Sequence, residues 1–519
     1  MCFFSTTTNG AALSNATALA LTNCIIDALE RASLSQFPFS LPNCCELTSQ
    51  RAWCCLFHAK KKVQSKSVHV TFTNQLTIDS TAALAFKTGS TYRRHPERRI
   101  RNLDSQVSAL TNYLLSRKRP TEDSEVRAAA QYFTQQLGST DEDELDSDAQ
   151  KKLQDKVKSK LRNRLYHWKP ISFDENVSFV YLAARMAPNY AIIYRVLHEL
   201  QRIMPSYQPS SVLDFGSGLG SSIWATNAIF PEAVKEYYCV DISQAMHNLA
   251  GKLLLKPDCK GEDPADFWIR GVYQRFFLPV SPQVTYDVTI SNNSLLEIHS
   301  HEERLNIVNI LWKKTNDFLI LIENGSLEGY VTLMEARNMI LAKGDSDSEL
   351  REEWKDGHLG HVFAPCSHDV ICPRLTRDKM IPCNFEQKYE PLQVPNLKRK
   401  VTQVENYSYL VMRKGKRQEG TVWPRVISPV LLRSRHTICR LCHEDGQLKE
   451  LIITKGKHER DLYKCARYTQ WGDLLPVSGI DENTNNRETK TRGRIEERQD
   501  NAKDEEREVG EGKNEHLQR

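Results

Sequence analysis

The chain has 519 residues, 40% of them apolar and 26% charged, the composition of a soluble globular protein with room for two or three domains. A net charge of only +5 excludes a uniformly basic or acidic chain, and no run of about 18 apolar residues is present to span a membrane. Fourteen cysteines in a chain of this length are too dispersed for a small secreted disulfide scaffold.

Residues 1–95 read as a leader. Residues 11–30 are fairly apolar, but no basic region precedes them, which argues against a secretory signal. Residues 51–78 carry Arg51, Lys60, Lys61, Lys62 and Lys66 with no acid, the composition of an organelle presequence.

Residues 96–205 form a helical region. NLDSQVSALTNYLLSRK and DSEVRAAAQYFTQQL place apolar residues at helical spacing, and SFVYLAARMAPNYAIIYRVLHELQRIM follows with an expected break at Pro188. Between them, an acidic block at 140–148 (TDEDELDSD) precedes a basic stretch. From 211 the pattern changes to apolar runs (SVLDFG, YYCVDI, YDVTIS, FLILIEN) alternating with helices. This predicts an α/β domain over 206–420, a parallel sheet with helices on both faces. QKYEPL and VENYSYLVMRKGKR are its expected last strands. Residues 421–477 read as a small β-rich basic module. The tail 478–519 is charged and lacks aromatics, so it cannot offset its ordering entropy and is expected to be disordered.

SVLDFGSGLGSS is the most informative stretch. A strand ends at Asp214, and Gly216, Gly218 and Gly220 lead into a helix, where free N–H groups and a partial positive charge face a ligand. The next strand ends in Asp241, placed to accept both hydroxyls of a ribose. The spacing G-x-G-x-G, with an acid two residues ahead, resembles motif one of class I S-adenosylmethionine-dependent methyltransferases. NAD is the second candidate, and a tight turn without a ligand the third. After the fourth strand, YDVTISNNSLLEIHS has neither the Pro-Pro box of amino-methylating enzymes nor a cysteine nucleophile. A cofactor pocket is therefore expected, with no catalytic residue. Asn292, Asn293 and Glu297 remain as binding groups, and Glu297, His299 and His301 as solvated helix-start residues.

Six cysteines lie beyond residue 365. Cys366, Cys372 and Cys383 sit in a proline-flanked loop, and Cys439 and Cys442 have a C-x2-C knuckle spacing beside His436 and His443. Gathered thiols outside an oxidising compartment point to a metal more than to disulfides. Zinc in a Cys/His site and a four-iron cluster on irregular loops both remain open, as do unrelated structural cysteines. Cys239 reads as core, and Cys465 completes the six. Repeated Lys/Arg clusters between 397 and 470 (LKRK, RKGKR, LLRSRH, KGKHER) point to a polyanion, most plausibly nucleic acid. Tyr407, Tyr409, Trp423, Tyr463 and Trp471 are available to stack.

Five stretches, YLAARMAPNYAIIYRVLHEL, VLDFGSGLGSSIWA, FAPCSHDVICPRL, YSYLVMRKG and RDLYKCARYTQWGDLLP, together resemble mitochondrial methyltransferase-like proteins that assist assembly of the small ribosomal subunit. The likeness spans about 100–477. It implies a class I methyltransferase-like domain in the mitochondrial matrix that works on small-subunit ribosomal RNA and proteins, with no membrane insertion and no DNA. It implies a 4Fe-4S cluster on Cys366, Cys372, Cys383 and Cys442, with Cys439 competing for the fourth place. It further implies S-adenosyl-L-methionine at Asp214, Gly216, Gly218, Gly220 and Asp241, and loss of methyl transfer. An active ribosomal RNA methyltransferase is the alternative.

Overall fold

The computed structural model describes residues 103–137, 147–164, 168–256, 259, 261–342, 359–375, 380–391, 402–418 and 422–477. The expected leader and tail lie outside them, as does the acidic block up to residue 146. Four helices lead: α1 (Leu103–Leu115), α2 (Asp123–Leu137), α3 (Ser147–Arg164) and the long α4 (Glu175–Ile203). Asp174 starts α4 by accepting a hydrogen bond from the Val177 N–H at 2.7 Å, which satisfies one free donor of its first turn. The break expected at Pro188 does not occur, and α4 runs through it. A mid-helix proline costs about 3 kcal/mol, but Met186, Ala187, Tyr190, Ile192 and Ile193 around it are all buried in the main core. Their burial, at roughly 1.5–3 kcal/mol for each large side chain, outweighs the loss.

Eight strands form the main sheet: β1 (Ser211–Phe215), β2 (Glu236–Val240), β3 (Val272–Arg275), β4 (Tyr286–Asn292), β5 (Thr315–Asn324), β6 (Gly360–Ala364), β7 (Phe385–Tyr389) and β8 (Gln403–Lys414). Their order is β3-β2-β1-β4-β5-β8-β6, with β7 also paired to β8. Strands β1 to β5 are parallel, and β8 runs antiparallel to β5. Its parallel part is the sheet that the strand–helix alternation predicts, and the whole is the Rossmann-like, class I methyltransferase-like fold that the glycine motif and the resemblance imply. The strand order reverses between β1 and β4, which places the ligand crevice at the carboxyl ends of those strands.

Alternate strand residues face opposite ways. Val212, Val288, Ile290, Ile320 and Val411 pack toward α4, α5 (Ser221–Ile229) and α6 (Gln244–Leu254). Leu213, Leu319, Leu321, Leu410 and Met412 pack toward α7 (His301–Lys313) and α8 (Leu327–Ala342). Helix α1 lies on α4 through Leu103, Val107, Val180 and Ala183.

On its outer edge β8 pairs first with β7, through residues 403–407, and then with β6, through 411–414. Residues 408–410 face the gap between them. Strand β6, GHVFA, was not anticipated from the sequence, and it delivers the chain into the cysteine loop.

The second sheet is antiparallel and belongs to the module: β9 (Arg425–Val426), β10 (Leu431–Leu432), β11 (His436–Cys442) and β12 (Leu448–Thr454). Helix α9 (Arg460–Tyr468) closes over Val426, Cys439, Leu441, Leu451 and Ile453 with Cys465 and Ala466.

Candidate cofactor cleft and cysteine pocket

At the carboxyl end of β1 the chain turns through Gly216, Gly218 and Gly220, with φ of +69°, +50° and +79°. A Cβ on Gly216 would stand 2.0 Å from Ser294 Oγ, so this position requires glycine on two counts. The Gly216 and Ser217 N–H groups donate to the Val240 carbonyl, locking the loop to the end of β2. Asp241 follows directly. Its carboxylate accepts from the Gly218 N–H at 2.9 Å and the Ser243 N–H at 2.8 Å, so it stands over the glycine loop.

Asp214 lies beneath the loop, 2% exposed, with Oδ2 lacking a hydrogen-bond partner. Burial, opposed by a Ser222 hydrogen bond, pushes its carboxyl up to about 7. The loop glycines and Asp241 are thus brought together, while Asp214 supports them from below.

The far wall of the cleft is filled by the chain itself. Asn293, at φ +54°, donates through Nδ2 to Asn189 Oδ1 and Asn292 Oδ1, both at 3.3 Å. Asn189 donates to Tyr181 Oη, and the buried Arg185 bonds both Asn189 and Glu405. Below, Glu323 accepts from the Leu295 N–H, and burial raises its carboxyl to about 8. The sequence candidates at the helix start separate: Glu297 pairs with Arg117 at 2.7 Å, His299 lies against Trp168, and His301 pairs with Glu335 at 3.2 Å. They form no joint general base.

The second site is a pocket between the two sheets. Cys366, Cys372, Cys383 and Cys442 line it together with Arg374 and Arg425. The first two leave the end of β6, Cys383 precedes β7, and Cys442 ends β11, so three separate segments converge. Strand parity separates the two knuckle cysteines. Cys439 and Cys442 are three apart on one strand and point to opposite faces. Cys439 enters the module core, and Cys442 faces the pocket.

Burial together with the neighbouring Cys372 pushes the Cys366 thiol up to about 11. Burial raises Cys383 to about 12, with Arg374 opposing, and Cys442 is pushed up by burial and by the other three thiols. Crowded neutral thiols of this kind ionise readily only beside a strong positive charge. Among the described residues, no three His, Cys, Asp or Glu side chains converge closely enough to hold a single metal ion.

Several contributors to this pocket carry no motif. Tyr330, on α8, places its hydroxyl 3.1 Å from Cys372 Sγ. His368 Nε2 lies 3.2 Å from Cys442 Sγ, while its Nδ1 is 3.1 Å from the Val370 carbonyl. Because a carbonyl only accepts, Nδ1 carries the proton. Arg337 donates to the His368 and Val370 carbonyls, fixing the loop beyond Cys366. Arg425 binds the Pro365 and Gly472 carbonyls and forms a 2.6 Å ion pair with Glu199 of α4, which also accepts from Tyr409. Arg374 reaches the Ile427 carbonyl and Ser367 the Cys442 carbonyl. Gly446, at φ +76°, lets the turn after β11 lie against Val370, where a Cβ would fall 2.4 Å from Cγ2.

A family model described as mitochondrial small ribosomal subunit Rsm22 matches residues 175–476, more than half of the chain. The chain belongs to the Rsm22 family. Over 375 residues it is 41% identical to the human mitochondrial ribosome assembly protein METTL17, covering 72% of this chain and 78% of that protein. It is 21% identical to the mitochondrial ribosome assembly protein RSM22 of Saccharomyces cerevisiae, over 57% of this chain and 66% of the relative. These relatives are mitochondrial, and the mitochondrial localisation implied by the resemblance is borne out. Among solved structures, magnesium protoporphyrin IX methyltransferase from Synechocystis aligns at 13% identity, over 49% of this chain and 88% of that one, with a TM-score of 0.24. At that score the fold assignment rests on the strand order.

Proposed function

We propose that this chain is an assembly factor of the mitochondrial small ribosomal subunit that binds ribosomal RNA, retains an S-adenosylmethionine cleft without methyl transfer, and is held together by a 4Fe-4S cluster. The observation that carries the reading is the convergence of four thiols, three buried and Cys383 half-buried, from three segments on the joint between the sheet and the module. A tetrahedral zinc needs its ligands about 2.3 Å from one point. A four-iron cluster instead spreads its thiolates around a body several ångströms wide, and thiols arranged around a pocket fit that better. Cys366, Cys372, Cys383 and Cys442 would hold it. Bound there, the cluster would supply the positive charge that these thiols need and would link the two sheets covalently.

The free Gly218 position and the Asp241 carboxylate fit the ribose and carboxylate ends of S-adenosylmethionine, with Asp214, Gly216 and Gly220 shaping the loop. No residue is assigned to catalysis. In amino-methylating enzymes the segment after β4 orients the acceptor; here the Asn292 and Asn293 amides are engaged by Asn189 and by each other. The ribosomal partner follows from the family and from the basic module. In this reading the domain bounds lie at 206–420 and 421–477, with one sheet assigned to each.

Anaerobic purification with metal and sulfide analysis tests the reading. The expected product is brown, with about four irons per chain, and Cys366→Ser loses both colour and small-subunit RNA binding. Colourless protein containing zinc would overturn the cluster. A methyl group on small-subunit RNA that depends on Asp241 would restore the enzyme reading.

A further inference from the structure

Away from the cysteine pocket, three segments of the module bring their cations to one tip. The β10–β11 turn carries Arg433 and Arg435, and its backbone is bonded to the loop after β12, where the Lys455 N–H donates to the Arg435 carbonyl at 3.4 Å. That loop adds Lys457 and leads into α9. The outer face of α9 presents Arg460, Lys464 and Arg467 at i, i+4 and i+7, while Cys465 and Ala466 face the module core. Arg467 ties the surfaces together: its guanidinium donates to the Arg433 carbonyl at 3.0 Å and to Tyr463 Oη, and lies 5.7 Å from the Tyr463 ring centroid. Seven Lys and Arg residues therefore meet against two carboxylates, Glu459 and Asp461.

Arg433, Arg435, Lys455, Lys457 and Arg460 are exposed and make no ion pair among the described residues. Unneutralised cations crowded on one surface repel one another and cost stability unless a polyanion takes them up. Arg467 beside an aromatic ring adds a group on which an unpaired base can stack.

We propose that this tip, made by the 433–435 turn, the 455–457 loop and the outer face of α9, is the module's docking surface for the phosphate backbone of small-subunit ribosomal RNA. The assignment rests on the assembly-factor reading above and specifies its contact surface. Cys442 and the tip occupy opposite ends of β11, about 20 Å apart at the rise of a strand. The cluster site and the RNA surface are thus joined by one strand and separable by mutation.

The test compares full-length protein with a variant carrying Arg433→Gln, Arg435→Gln, Lys455→Gln and Lys457→Gln, binding in vitro transcribed small-subunit RNA across a salt series. The expected result is an affinity loss on the order of tenfold or more. The slope of log affinity against log salt should also shallow by about 0.7–0.9 for each phosphate contact removed. Metal content and melting temperature should stay unchanged, and a charge-keeping variant, Arg433→Lys with Arg435→Lys, should retain most of the binding. Wild-type affinity and slope in the quadruple variant would overturn the placement. So would a loss confined to anionic vesicles, or an equal loss from Arg270→Gln beside the far edge strand β3. Wild-type protein that binds no small-subunit RNA would instead overturn the assembly-factor reading itself.

Discussion

The cofactor cleft and the cysteine pocket lie in the same chain but are built on opposite plans. The cleft is local: one loop of five residues, one carboxylate after the next strand, and a wall that the chain closes with its own amides. The pocket is assembled from a distance, with Cys366 in the loop after β6 of the main sheet, Cys442 at the end of β11 in the other, and Arg425 linking the joint to α4. A local site keeps its shape even if its chemistry is lost, because the same hydrogen bonds fold the sheet. A distributed site exists only while its segments stay docked, and so it reports on the integrity of the whole fold.

The sharpest way to break this contrast is at Arg425. Arg425→Met leaves Glu199 buried without its cation and removes the anchors to Pro365 and Gly472, an expected loss of about 3–5 kcal/mol in denaturant unfolding. Iron content of anaerobically prepared protein should fall with it. Gly216→Ala should cost less, roughly 1–3 kcal/mol, through its left-handed φ and the Ser294 contact. It should weaken S-adenosylmethionine binding in calorimetry while leaving iron unchanged. Equal iron loss in both variants would show that the two sites are not independent.

Near pH 5 the smallest effect is expected at Glu323→Gln. Burial holds the Glu323 carboxyl at about 8, so the folded chain keeps a proton that the unfolded chain releases near pH 4.5. The associated stability is full below pH 4.5 and is lost as pH rises to 8. The amide should therefore flatten the wild-type decline in melting temperature across that window and shift stability little near pH 5.

The cleft was legible in the sequence because its parts are contiguous. SVLDFGSGLGSS and the aspartate within YYCVDI give the glycine turn, the helix start and the carboxylate directly. The cysteine set was legible only as residue types. The resemblance put Cys442 ahead of Cys439, and the structure adds that the two share a strand whose faces lead to different neighbours. Tyr330, Arg337 and Arg425 could not be foreseen: each is an ordinary residue in its own element, brought to the pocket by tertiary packing. Pro188 was misread for the same reason, since local propensity yields to burial on a helix packed along its length.

The interrupted outer edge of β8 has a further consequence. Between its pairings with β7 and β6, residues 408–410 have no partner strand on that side among the described residues; Ser408 instead bonds the Cys383 carbonyl through its hydroxyl at 3.0 Å. An uncovered strand edge is a template for pairing with another chain. A molecule whose cysteine loop has not settled therefore exposes backbone donors and acceptors beside its largest core. In the crowded interior of an organelle, such a chain would be open to aggregation and to quality-control proteases, and seating of the joint would thereby gate survival of the whole molecule.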